Sequence, residues 1–239
     1  MIYAFDAARN QLLAALPDAE LQRWLPLLEL VDLPVGRVLC ESGRPVDDVF
    51  FPTTAIVSWL FGLENGDASE VAVIGSEGMV GASLFMSGDG PPSWAVVLCG
   101  GRGYRLCARA VQAAFDRNGP VTHLMLRYTQ AIITQMTQTA ACNRHHSLDK
   151  QLCRWLLSSI DRLPGNDLVT TQKLIAQMLG VRREAITEAA LKLKAAGLIN
   201  YTRGHISVIN RPGLEQRSCE CYAVVKKEYD RLLPDMLAV

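Results

Sequence analysis

Residues 170–210 form the part of the sequence that most restricts what the chain can fold into. The segment begins TTQKLIAQMLGVRREAITEAALKLKAAGLI, with apolar residues at helical spacing on both sides of Gly180. The small Ala176, the glycine four positions later and the β-branched Val181 after it are typical of two helices joined by a tight turn. Glycine suits such a turn because it adopts a positive φ at little energetic cost. The pattern predicts a helix–turn–helix with these inward-facing residues: Ile175, Ala176, Leu179, Ile186 and Ala189.

The outer face of the second predicted helix carries polar side chains near its beginning, namely Arg182, Arg183, Glu184, Thr187 and Glu188. Arginine can bond both major-groove acceptors of guanine, and glutamate can accept from the amino group of cytosine. The segment INYTRGHISVI then predicts two short strands joined by a tight turn, a β-wing with Arg203 at its tip in reach of a phosphate. Together these features predict a winged helix-turn-helix that binds double-stranded DNA.

The charges are divided unevenly along a chain whose formal net charge is zero. Residues 1–143 carry 9 basic and 14 acidic side chains, whereas residues 144–239 carry 15 basic and 10 acidic ones. All the lysines lie in the second part. A basic half favours an anionic partner for that half, although charge alone is weak support.

The seven cysteines are odd in number and scattered, which favours a reducing compartment over a disulfide framework. Only Cys219 and Cys221 form a close pair, and no second pair lies near them in the sequence. A zinc site needs four converging ligands, so we expect no metal site and ordinary buried cysteines here. Cys142 and Cys153 flank the expected hinge between domains; thiol-based redox sensing is one option there, and burial as small apolar residues is favoured.

The N-terminal segment MIYAFDAARNQLLAAL lacks a basic start followed by an apolar core, so we expect no signal peptide. No apolar run approaches the roughly 18 residues that a membrane helix needs. The sequence therefore predicts a cytoplasmic protein without a membrane partner.

The remaining elements are predicted from the period of the apolar residues. Residues 7–30 are helical in pattern with a break at Pro17, and residues 31–106 alternate in short runs between turn residues, which predicts a jelly roll or barrel. A long apolar stripe between Pro120 and Arg144 predicts a helix that packs on the barrel and on a second copy of itself. Helices are also predicted at residues 148–160 and, in the tail, at residues 214–233, where the tail helix is expected to pack on the hairpin domain or on the barrel.

The segment LIAQMLGV followed by RREAITEAALKLKAAGLI resembles the C-terminal domain of the CRP/FNR family of bacterial transcription regulators. The order of the other elements agrees with the resemblance. VFFPTTAIVSWL, GSEGMVGASL, AACNRHHSLDKQLCRWLL and SCECY are similar to a subgroup of that family. The resemblance implies an α+β fold with a cyclic-nucleotide-binding-like jelly-roll barrel at residues 1–118, a dimerisation helix and hinge at 119–146, and a winged helix-turn-helix at 147–239. It also implies a homodimer on a palindromic operator, with RNA polymerase as a further partner.

The resemblance also assigns roles to residues of the hairpin. Arg183 and Glu184 match base-reading positions, whereas Thr171 and Gln172 match phosphate-contacting positions. Glu188 stands where the family usually has arginine. We therefore expect an operator related to the common family site and not identical to it.

The resemblance implies an effector pocket in the barrel at Gly81, Ala82, Ser83 and Ser93. The family's cyclic-nucleotide cassette carries a glutamate and, about ten residues later, an arginine that pairs with the phosphate. Ala82 and Pro92 stand at these two positions, and a cyclic phosphate without its arginine loses roughly 2–5 kcal/mol. We therefore expect that cyclic AMP does not bind in the usual way.

No other cofactor is expected. An iron–sulfur cluster of the family's oxygen sensors needs cysteines near the N-terminus, and the first cysteine is Cys40. A haem needs an axial ligand, and the four histidines are more typical of surface residues. The effector therefore remains open, and so does the possibility that none is needed.

Other classes of protein fit the sequence less well. No nucleophile–base pair and no phosphate-binding glycine loop is present, so we expect no enzyme. An effector-binding regulatory module, or an adaptor whose hairpin no longer binds DNA, remains the alternative. Arginines at the groove-facing positions favour the DNA-binding regulator over both.

Overall fold

A computed structural model of the chain describes residues 2–64, 68–85, 90, 92–202 and 204–233. The architecture is α+β, as predicted: short helices, a barrel of two antiparallel sheets, a long helix and a helical domain with a small sheet. Within the described ranges, no helix has both the length and the apolar character needed to cross a bilayer.

The N-terminal region is more broken than the sequence predicts. It holds α1 (Ala4–Ala7), α2 (Gln11–Ala14), α3 (Asp18–Trp24) and a 3-10 turn at Leu25–Leu27. Asn10 explains the first break. Its side chain accepts from the amide of Leu13 and donates to the carbonyls of Pro52 (2.9 Å) and Gly78 (2.8 Å), so this buried amide caps α2 and ties it to the barrel.

The described residues of the barrel contain seven strands: β1 (Glu29–Leu33), β2 (Val38–Cys40), β3 (Asp48–Pro52), β4 (Ile56–Gly62), β5 (Ala68–Ile74), β6 (Ser93–Cys99) and β7 (Gly101–Cys107). One sheet has the order β1-β7-β3 and the other β2-β6-β4-β5, with every pairing antiparallel. The two sheets enclose an apolar core that includes Phe50, Val57 and Val97. The segment SEGMVGASLF is one of the short apolar runs of residues 31–106, and it forms no full strand in the described part. Val80 makes only a single bridge to Phe50, and Ala82–Phe85 is a 3-10 turn.

Helix α4 (Ala108–Phe115) follows the barrel, and α5 (Pro120–His145) and α6 (Leu148–Ile160) agree with the predicted helices. One face of α5 packs on the barrel. Tyr128 on that face is fully buried and donates its hydroxyl to the carbonyl of Met79 (2.9 Å). The opposite face is exposed along a heptad series that we name the α5 strip: Leu126, Gln130, Ile133, Thr137, Ala140 and Arg144.

The C-terminal part contains β8 (Asp167–Leu168), α7 (Gln172–Leu179), α8 (Arg183–Ala195), β9 (Ile199–Thr202), β10 (His205–Val208), α9 (Arg211–Arg217) and α10 (Glu220–Leu232). The small sheet has the order β8-β10-β9. The predicted single tail helix is therefore wrong, because the chain breaks at Ser218 and Cys219. Helix α10 reaches both expected partners, since Tyr222 belongs to the core of the hairpin domain and Leu232 to that of the barrel. It lies mainly along α5, where Tyr229 donates its hydroxyl to the side chain of Gln135 (3.1 Å).

The barrel and the helical domain share one apolar core within the subunit. Ile56, Leu60 and Val73 of the barrel belong to the same cluster as Trp155 of α6 and Ile175 of α7. Helix α7 also packs directly on β5. The orientation of the hairpin is therefore set by contacts with the barrel as well as by the hinge between α5 and α6.

Glu70 of β5 is a buried carboxyl at this shared interface. It accepts hydrogen bonds from Ser58 and from the indole nitrogen of Trp155 (2.8 Å). Burial raises the pKa of Glu70 to about 7, although both hydrogen bonds and the charges of Arg154 and Arg162 oppose the rise. Between its ordinary pKa of 4.5 and about 7, the folded chain holds a proton that the unfolded chain releases.

We therefore expect the free energy of unfolding to fall as the pH rises through that interval, with Glu70 responsible for up to about 3 kcal/mol of the loss. Glu70→Gln keeps an acceptor for Trp155 and a polar partner for Ser58 but cannot ionise. The variant should match the parent at pH 5 and be more stable at pH 8, as measured by denaturant unfolding across pH. Glu64→Gln, at an exposed position, is the matched control. Parallel pH profiles for the parent and Glu70→Gln would contradict the expectation.

Candidate nucleic-acid interface

The corner between α7 and α8 has the predicted geometry. Gly180 ends α7 with φ 64° and ψ 34°, a left-handed conformation that strains other residues. The amide of Val181 then donates to the carbonyl of Ala176 (2.9 Å). Ile175, Ala176, Leu179, Ile186 and Ala189 are all buried, as the sequence predicts. The turn therefore fixes α8 across α7 and leaves the first turn of α8 facing outward.

The first turns of α8 form an open polar face. Arg182 stands at the N-cap position of α8, and Arg182, Arg183, Glu184 and Glu188 are all exposed. The positive end of the helix dipole lies at the same place, which favours an anionic partner there. The structure thus brings these four predicted residues together on one surface.

Thr171 and Gln172 have contacts within the domain. Thr171 is exposed and caps α7 by accepting from the amide of Leu174 (3.2 Å). Gln172 is 7% exposed, and its side-chain oxygen accepts from the hydroxyl of Thr187 (2.7 Å). In this conformation the Gln172 side chain braces α7 against α8, so the expected phosphate contact for Gln172 requires a rearrangement.

Glu188 has a cationic partner on its own helix. Lys192, one turn further along α8, lies with its amine 2.9 Å from the carboxylate of Glu188. Both side chains are largely exposed, so the pair itself adds little stability. The lysine nonetheless offsets the negative charge that Glu188 places on the interface.

The β-wing forms beside α8. His205 of β10 pairs with Thr202 of β9, and its ring nitrogen lies 3.2 Å from the carboxylate of Asp167 in β8. The carbonyl of Gly204 accepts from the amide of Thr170, so the turn of the wing is tied to the start of the hairpin. Arg203, predicted at the tip, lies outside the described residues.

Comparison with known proteins agrees with this geometry. Residues 150–217 match the family model described as Crp-like helix-turn-helix domain. The chain carries a Crp-like helix-turn-helix domain. No curated protein gives a significant match to the chain.

Several solved structures share the fold of the chain. FixK2 from Bradyrhizobium japonicum is 15% identical with a TM-score of 0.69, over 80% of this chain and 98% of its own. The c-di-GMP responsive global regulator CLP of Xanthomonas campestris is 15% identical with a TM-score of 0.62, over 80% and 99%. A CRP/FNR family transcriptional regulator from Thermus thermophilus is 18% identical with a TM-score of 0.61, over 80% and 98%. The fold and the Crp-like domain support a DNA-binding transcription regulator of the CRP/FNR type.

The expected effector pocket of the barrel is nearly filled. Gly81, Ala82, Ser83 and Ser93 are all buried. Ser93 accepts a hydrogen bond from the indole nitrogen of Trp59 (2.6 Å). Trp59, Gly81 and Ser83 line a cavity of only about 10 Å³ between described residues, which is room for about one water molecule.

Sequence reasoning did not single out Lys173 as part of the interface. It is exposed on the first turn of α7, close to Thr171 and within the residues that match the Crp-like domain. The sequence could have indicated this role, because Lys173 directly follows Thr171 and Gln172, the two residues expected at DNA phosphates.

Cys153 of α6 is fully buried, and burial raises the pKa of its thiol to about 11. A thiol of that pKa holds little reactive thiolate at neutral pH. These facts favour the packing role for Cys153 over the redox role.

Proposed function

We propose that this chain acts as a homodimeric, sequence-specific regulator that binds a palindromic operator through α8 and the wing. The observation that carries the proposal is the open face of α8, where two arginines and two glutamates surround the positive end of the helix. An adaptor with a degenerate hairpin has no physical need for that combination. The neighbouring Lys173 and Thr171 extend the same surface for backbone contacts.

The base-reading roles fall to the residues nearest the start of α8. Arg183 suits the paired acceptors of guanine, and Glu184 suits the amino group of cytosine on a neighbouring pair. Glu188 is held by Lys192, so the two side chains together present an acceptor and a donor where the family usually has arginine alone. This arrangement favours an operator that departs from the common family site at that base pair.

The α5 strip supports the homodimer. Its residues recur with the period of 3.5 that keeps a helix face against a partner helix. Leu126 and Ile133 are 50% and 45% exposed in the subunit, so a partner helix on the α5 strip has large apolar side chains to cover. Pairing of two α5 helices would bury them and set the separation of the two α8 helices. Only a separation of about 34 Å lets both enter successive major grooves.

The nearly filled pocket of the barrel supports a sensor that does not bind cyclic AMP in the usual way. The hydrogen-bonded side chains of Trp59 and Ser93 lie in the expected effector pocket. Ala82 and Pro92 stand where the family's cassette has the glutamate and the arginine that hold a cyclic nucleotide. Contact with RNA polymerase follows from the family resemblance alone.

Selection of bound duplexes from a random DNA pool tests the proposal. The purified full chain should recover a two-fold symmetric site with half-site centres about 10 base pairs apart. Its affinity should fall steeply with salt and should not change on addition of cyclic AMP. Failure to recover any duplex at low salt, with the dimer confirmed by sedimentation, would favour the adaptor instead.

A further inference from the structure

Four potential metal ligands converge where α5 ends and α10 begins. We name them the hinge cluster: Cys142, His146, Cys219 and Cys221. Their ligand atoms all lie within 4.8 Å of one another. The Sγ atoms of Cys142 and Cys219 are 3.5 Å apart, and Sγ of Cys221 lies 3.6 Å from Nδ1 of His146.

These spacings fit one tetrahedral ion. Bonds of about 2.3 Å to sulfur and 2.0–2.1 Å to nitrogen place neighbouring ligand atoms of a tetrahedral zinc site roughly 3.5–3.8 Å apart. An iron–sulfur cluster would hold its protein ligands further apart because two or more irons lie between them. Three thiolates and one imidazole are also a donor set that zinc prefers.

The surroundings of the hinge cluster resemble the outer shell of a metal site. Nε2 of His146 lies 3.3 Å from the carboxylate of Glu220, which leaves Nδ1 facing the three sulfurs. Such a carboxylate fixes the ring orientation of a metal-bound histidine. Gln151 donates to the carbonyl of His146 (2.8 Å), so the backbone at the site is held as well.

Arg154 supplies the charge that such a site needs. Its side chain is buried beside Cys142, and its Nε is without a hydrogen-bond partner in the described structure. Three thiolates around a divalent ion carry one net negative charge, which the guanidinium offsets.

We propose that the hinge cluster binds one Zn²⁺ ion as a closed structural site. Cys142 lies in the last turn of α5 and His146 is the residue that caps its C-terminal end, whereas Cys219 and Cys221 open α10. The ion therefore fastens the end of α5 to the start of the C-terminal helix across the hinge that leads to α6. Both pairs of ligands lie just outside residues 150–217, so the proposed metal site is an addition to the Crp-like domain. The proposal concerns metal binding alone and does not depend on DNA binding.

The sequence analysis predicts no metal site here, because the pair Cys142 and His146 is far along the chain from the pair Cys219 and Cys221. The simpler explanation, a small cluster of packed cysteines, accounts for the three buried sulfurs. It leaves the position of His146 and its carboxylate partner without a reason.

Metal analysis of the full chain tests the proposal. Protein purified under reducing conditions from cells grown with zinc should contain about one zinc ion per chain. Reconstitution with Co²⁺ should give the intense ligand-field bands of a tetrahedral site and sulfur-to-cobalt charge transfer. Chelation of zinc should lower the thermal midpoint of unfolding, because the ion binds the folded state alone.

Matched variants separate the site from general effects on folding. His146→Ala and Cys221→Ser should lose the metal, whereas His145→Ala and Cys107→Ser, at exposed positions, should keep it. His146→Cys retains four ligands and should restore binding. Zinc below about a tenth of an ion per chain, a cobalt spectrum without sulfur charge transfer, or equal metal content in Cys221→Ser and the parent would overturn the proposal. The cobalt spectrum of the unaltered chain decides the matter if the variants fail to fold.

Discussion

Arg183→Ala is expected to weaken binding to the selected operator by about 10- to 100-fold. The size follows from the loss of one bidentate contact to guanine, which contributes about 1–3 kcal/mol. Arg183 is the first residue of α8 and is exposed, so its truncation removes no packing. The fold should remain intact, and the loss should appear in DNA binding alone.

The measurement is affinity for the parent operator and for operators with each base pair replaced in turn. Arg183→Ala should lose discrimination mainly at one base pair of each half-site. Arg109→Ala, which removes an exposed arginine from the barrel side of the molecule, should change the affinity less than about twofold. A uniform loss across all sequences, with a shallower salt dependence, would instead assign Arg183 to a phosphate.

Leu126→Glu combined with Ile133→Glu is expected to convert the proposed dimer into a folded monomer. Both side chains lie on the α5 strip and are about half exposed in the subunit, so the changes disturb little within it. In a paired arrangement, each α5 would place two carboxylates in an apolar seam against two others. The repulsion and the desolvation of those charges oppose association.

Loss of the dimer should in turn lower the affinity for a duplex with two half-sites by about 100-fold or more. In a dimer, binding of one subunit holds the other subunit near the second half-site, and separate monomers lack this advantage. Sedimentation reports the mass, circular dichroism reports the fold, and titration of the duplex reports the affinity. Leu30→Glu changes a leucine of the barrel that is 47% exposed and should leave the mass of the dimer unchanged. A double variant that remains dimeric would rule out the α5 strip as the interface.

The sequence determined the elements whose signals are local. The apolar period over residues 120–144 and 148–160 predicted α5 and α6 almost to the residue, and Gly180 predicted the left-handed turn between α7 and α8. The wing followed from two short strands on either side of a tight turn. In each case the structure follows from the spacing of apolar residues or from one positive φ, and both depend only on neighbouring residues. No contact with a distant part of the chain is needed.

Predictions that depend on distant contacts fared less well. The N-terminal helices break at Asn10 because its side chain bonds to carbonyls in the barrel, 42 and 68 residues away. The tail helix was expected on the hairpin or the barrel, and the structure adds α5 as its main partner. The hydrogen bond from Thr187 to Gln172 joins two helices, so only the packing of α7 against α8 shows it.

The sequence by itself therefore determined the fold class, the order of the elements and the polar face of α8. Only the tertiary structure decided that Glu70 would be buried against Trp155, that aromatic and small side chains would nearly fill the barrel pocket, and that the hinge cluster would form. Cys142 and Cys219 are 77 residues apart in the chain, yet their sulfurs are 3.5 Å apart. Spacing along a chain reveals ligands that share one helix or one turn. Ligands from separate elements converge through the packing of the whole core, which no local pattern records.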